Sequence, residues 1–137
     1  MAASESGAYV LDSYALLAHL QEESGKLRVR EILAQASAGR CQVYLSVINL
    51  GEIAYIIERE RGLPEVHEAL GLIDQLPIEV LPAPREVVLA AAHIKAGHPI
   101  AYADAFAAAA AQALEAVVVT GDPEFDSLRA LIDVERI

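Results

Sequence analysis

Short apolar runs alternate along this chain with longer stretches whose hydrophobic positions repeat at a helical period. The first run, AYVL at residues 8–11, is β-prone and predicts a strand. Asp12 and Ser13 follow it and can cap the helix expected of YALLAHLQEE. KLRVREILAQASAGR reads as a second helix ending at Gly39, and CQVYLS as a second strand, with Ser46 as the N-cap of what comes next. Val47, Leu50, Ile53, Ala54 and Ile57 then recur at 3.6-residue spacing, which predicts an amphipathic helix to Arg61, ended by Gly62. Pro64, at a first helical position, opens the helix PEVHEALGLIDQL, and Pro77 separates it from a strand, IEVL. PREVVLAAAHIKAG predicts a helix closed by Gly97, and AYADAFAAAAAQAL an alanine-rich one. The strand AVVV at residues 116–119 follows, then a short helix in PEFDSLRAL and an edge strand in IDVERI.

Strands alternating with helices, without hairpin signals, place the chain in the α/β class. The expected architecture is three layers, α/β/α, around a central, mainly parallel sheet of four to five strands. At 137 residues the whole chain, 1–137, is read as one domain, with residues 1–7 as a flexible tail. Such a domain buries roughly two-thirds of its unfolded surface. With 55% apolar but only 5% aromatic residues, its core must be built from Val, Ile, Leu and Ala, and disorder is excluded.

The charge changes the picture of possible partners. Twenty acidic residues against ten basic ones give a net charge of −10, so the field of the whole molecule attracts neither nucleic acid nor an anionic membrane. Local clusters at Lys26, Arg28 and Arg30, and at Arg59 and Arg61, read as solvated surface more readily than as RNA contacts. The single cysteine, Cys41, allows no internal disulfide and lacks the company of a zinc site, and the four histidines show no metal spacing. MAASESG has neither a basic start nor an apolar stretch, and no run approaches the ~18 apolar residues of a membrane span. A soluble, cytoplasmic protein without a membrane partner is expected.

Candidate chemistry lies in the acids. In an open α/β sheet, ligands bind beyond the carboxyl ends of the strands. Asp12 directly follows AYVL and Asp122 follows AVVVTG, so both belong at that rim. Glu52 lies about a turn and a half into its helix, 100° from Ile53 on the border of the apolar stripe. Asp104 lies near the start of the alanine-rich helix, between small side chains that allow close packing. Each has a bland alternative: Asp12 as an N-cap, Asp122 as a turn residue before Pro123, Asp104 as a complement to the helix dipole worth ~0.3–1 kcal/mol. Glu52 is too far into its helix to be a cap. Tyr14, beside Asp12, reads as core packing in preference to a base-stacking residue.

Taken together, YVLDSYALL, LSVINLGEIAY, YADAFAAAAA and VVVTGDPEF, in this order and spacing, resemble the PIN-domain ribonucleases, and within them the VapC toxins of toxin–antitoxin pairs. The resemblance covers nearly the whole chain. It implies that Asp12, Glu52, Asp104 and Asp122 form an acidic pocket, that Ser13 and Thr120 are its small hydroxyl positions, and that Asp126 is a weaker candidate than the rest. It further implies RNA as substrate, 5′-phosphate and 3′-hydroxyl products, a cognate antitoxin protein and a homodimer. Hard oxygen ligands without His or Cys select magnesium or manganese. The expected activity is therefore magnesium-dependent hydrolysis of RNA phosphodiester bonds, with Asp12 and Asp104 as first metal ligands, Asp122 in support, and Glu52 on the attacking water. The competing reading is a non-catalytic protein- or RNA-binding α/β domain, whose acids are caps and surface charges. DSYAL lacks the second Asp of D-x-D phosphatases, and no Gly-rich nucleotide-binding signature occurs.

Overall fold

The computed structural model describes residues 7–137, so the expected flexible tail lies, apart from Gly7, outside the described residues. Among the described residues five strands form one sheet: β1 (Ala8–Leu11), β2 (Gln42–Ser46), β3 (Glu79–Leu81), β4 (Val117–Thr120) and β5 (Asp133–Arg136). Their order is β3-β2-β1-β4-β5, and every pair is parallel. The chain therefore builds outward from β1 through β2 to β3, then returns to the far side of β1. That reversal leaves a crevice at the carboxyl ends of β1 and β4, where Asp12 and Thr120 lie.

Side chains alternate across the sheet. Tyr9, Leu11, Val43, Leu45, Val117 and Val119 fill one core with α1 (Ser13–Leu20), α2 (Lys26–Ser37), α3 (Val47–Arg61) and α4 (Leu63–Asp74). Val10 and Val118 fill the opposite core with α5 (Arg85–Gly97), α6 (Tyr102–Leu114) and Phe125 and Leu128 of the 3-10 helix Pro123–Leu128. The result is the three-layer α/β/α arrangement, with the predicted fifth strand present and a 3-10 helix where a short α-helix was expected.

The alanine run explains how α6 sits. Ala105 and Ala107 to Ala111 are all buried, because this helix packs on α3, α5 and three strands at once. A helix buried nearly all round needs apolar residues all round. Alanine supplies them without holding the neighbours apart, and it carries Asp104 inward with them. No helix among the described residues is long and apolar enough to cross a membrane.

Candidate active site

Asp12 leaves β1 and caps α1: its Oδ1 accepts the Ala15 N–H at 2.8 Å. Its Oδ2 accepts the Thr120 hydroxyl, from the end of β4, at 2.5 Å. The same hydroxyl oxygen accepts the Asp122 N–H at 2.9 Å, and Asp122 in turn caps the 3-10 helix by accepting the Glu124 N–H at 2.9 Å. One continuous set of hydrogen bonds thus ties the first strand end to the fourth. The capping reading and the pocket reading of Asp12 and Asp122 are compatible, since one carboxylate does both. Capping alone does not account for them: serine or threonine would cap as well and bring no charge.

The electrostatics mark the convergence. Asp12 is 1% exposed and its carboxyl is pushed up to about 7, chiefly by burial. The hydrogen bonds from Thr120 and Ala15 oppose that shift, and the charges of Asp122 and Glu52 add to it. Asp104, 8% exposed on the first turn of α6, is also pushed up to about 7, by burial first and then by Asp12, Asp122, Glu52 and Glu124. Asp12 and Asp104 therefore both feel Glu52 and Asp122, and the four come from four separate segments of the chain. Repulsion between like charges in a partly desolvated place favours either protonation or a bound cation.

The donor set fits a hard dication. Asp104, Asp122 and Glu124 each offer a carboxylate oxygen, and these oxygens lie within 4.8 Å of one another. Oxygen-only ligands at such separations suit magnesium or manganese, which keep several waters and take few protein carboxylates directly. Glu52, half-buried on α3, stands beside this group without belonging to it.

Other expected positions fall elsewhere. The Ser13 hydroxyl donates to the Asn49 main-chain carbonyl at 3.3 Å, whereas the Thr120 hydroxyl donates to the Asp12 carboxylate. Asp126 is half exposed and held by Arg129 and Arg136 at 3.1 and 3.0 Å. Of the basic cluster in α2, Arg28 pairs with Glu31 and Glu135, and Arg30 with Glu22 and His19. Tyr14 is 45% exposed, not core, because Ala15 and Leu16 fill the interior at this turn and its ring lies over Gly121.

Two residues escape the sequence reading. Glu124 joins the acids because the 3-10 helix turns it back toward Asp122. Asn49, fully buried on α3, donates its amide to the Ser13 hydroxyl and to the Ala103 carbonyl, both at 3.2 Å. It therefore fastens the segments carrying Asp12 and Asp104 to the helix that carries Glu52. Its Oδ1 is buried without a partner.

A model of the PIN domain family matches residues 9–131. In overall shape the chain is similar to VapBC of Salmonella typhimurium bound to DNA, at 22% identity and TM-score 0.75, covering 95% of this chain and 98% of that one. It is similar to VapBC of Rickettsia felis bound to a fragment of promoter DNA, at 18% identity and TM-score 0.72, covering 94% and 98%. It also resembles a sarcin–ricin-loop-cleaving VapC toxin of Mycobacterium tuberculosis, at 15% identity and TM-score 0.66, covering 86% and 92%. Among curated proteins no sequence match was found.

Proposed function

The chain belongs to the PIN domain family, and on that premise we propose that it is a divalent-metal-dependent endoribonuclease and the toxin of a toxin–antitoxin pair. The observation that carries this reading is the convergence of carboxylates at the carboxyl ends of β1 and β4: oxygens of Asp104, Asp122 and Glu124 lie within 4.8 Å of one another, and Glu52 and Asp122 bear on both Asp12 and Asp104. Similarity in fold to VapC toxins and VapBC complexes supports the toxin role and an antitoxin as partner.

Asp104 and Asp122 would hold magnesium or manganese, with Glu124 at the mouth of the site and Asp12 against them. When bound, the metal supplies a Lewis acid for a phosphate oxygen and a water of lowered pKa. Asp12, fixed by Thr120 and Ala15, would add its negative charge beside the bound cation without reorganising. Glu52, outside the tight ligand group, would accept the proton of the attacking water. Water oxygen then bonds to phosphorus as the bond to the 3′ oxygen breaks, and the departing 3′ oxygen takes up a proton from solvent, leaving 5′-phosphate and 3′-hydroxyl ends.

A homodimer and a cytoplasmic location, as the resemblance and composition imply, complete the proposal. Incubation with total RNA, with magnesium and with chelator, followed by mapping of the ends, tests it. Magnesium-dependent cuts bearing 5′-phosphates are expected, and lost in Asp104→Asn. A folded, metal-loaded protein that leaves RNA intact would point to the non-catalytic binding domain instead.

A further inference from the structure

We infer that Tyr14 is the residue that holds an unpaired base of the RNA substrate beside the cleavage site, an inference that rests on the ribonuclease reading above. Tyr14 is the second residue of α1, two positions after Asp12, in the turn that Asp12 itself caps. Its ring lies over Gly121, the residue between Thr120 and Asp122, so closely that a Cβ at that position would overlap the ring carbons. Glycine at 121 therefore lets the ring rest on the main chain of the segment that supplies Asp122. The ring is braced by the same two segments that bring the acids together.

The ring is not needed for the core. Tyr14 belongs to neither hydrophobic cluster, and 45% of it faces solvent. An apolar ring left half open at the edge of an acidic pocket has a face available to a ligand. A nucleobase suits it, because stacking needs no positive charge and any base offers a π-face. That property matters in this chain. The charges bearing on Asp12 and Asp104 are carboxylates. Arg28, Arg30, Arg129 and Arg136 are tied to acids of the protein itself. With a net charge of −10, a neutral contact adds grip on a polyanion beside the bound cation without adding to the repulsion. Unpaired RNA exposes its bases for such a contact; a continuous duplex hides them.

The test uses an RNA oligonucleotide containing a mapped cut, and versions of it with single abasic positions. Stacking contacts of this kind predict that Tyr14→Ala raises KM about ten-fold, that Tyr14→Phe restores it, and that kcat and the magnesium-induced rise in melting temperature persist. In the wild type one abasic position next to the cut should raise KM similarly. The same position should have no further effect in Tyr14→Ala, because the two changes remove one contact. Wild-type KM in Tyr14→Ala, or an abasic effect that survives that substitution in full, overturns the inference while the ribonuclease reading stands. A wild type that neither binds nor cuts RNA overturns both.

Discussion

Thr120 donates its hydroxyl to Oδ2 of Asp12 at 2.5 Å, across 108 positions of sequence, and accepts the Asp122 N–H on the same oxygen. This fully buried hydroxyl is the joint between the two strand ends that form the site. Thr120→Val keeps the shape but leaves a buried carboxylate oxygen and a main-chain N–H without their partner. Unmet groups of this kind cost about 1–3 kcal/mol each when desolvated. Urea unfolding should show a loss in that range for Thr120→Val and a much smaller one for Thr120→Ser, and the Asp12 carboxyl should titrate still higher in the valine variant.

The raised carboxyls make metal-free stability depend on pH with a definite sign. Asp12 and Asp104 titrate near 7 when folded, against 3.8 for an ordinary aspartate, so between those values the folded chain holds protons that the unfolded chain has released. Their contribution is greatest below pH ~4 and is lost as pH rises through about 7. In chelator the melting temperature should fall from pH 5 to pH 8. Asp104→Asn should flatten that slope, and millimolar magnesium should raise the melting temperature most at the upper end, where both acids are ionised.

Asn49 makes its own prediction. Alanine there removes the donors to Ser13 and Ala103, but also removes an Oδ1 that has no partner, so the two effects partly cancel. A modest destabilisation, about 1 kcal/mol, is expected from denaturant unfolding. The larger effect should appear in cleavage, because α1 and α6 are then no longer fastened to α3. Metal affinity by calorimetry should fall together with kcat.

Close packing of α6 is equally testable. Ala108 shares a face of the helix with Asp104 and is 1% exposed, so Ala108→Leu has no room for its side chain. Overpacking of this kind costs about 1–3 kcal/mol. Displacing α6 should also weaken magnesium binding, whereas Gln112→Leu, on an exposed position of the same helix, should change neither.

Much of this was legible in the sequence, because the period of the apolar residues and the acids at strand ends are local signals. AYVL and QVYLS became strands, AVVV did so one residue later as Val117–Thr120, and the VINLGEIAYII pattern became a helix with Glu52 at its border. What stayed hidden depends on where a turn points. Nothing in DPEF distinguishes Glu124 from a surface acid until the 3-10 helix folds it toward Asp122. Asp126, the weaker candidate in the sequence, is held by Arg129 and Arg136. Asn49 sits amid apolar residues with no periodic mark, and the exposure of Tyr14 is set by a glycine 107 positions away, which no local pattern encodes.

Carboxylates from distant parts of this chain are proposed to share a bound dication. Anomalous diffraction from crystals soaked in manganese tests it most directly. A single strong peak, or a close pair, is expected within coordination distance of Asp104 and Asp122, absent in Asp104→Asn. Manganese found only at scattered surface acids, with that position empty at saturating concentration, would contradict it.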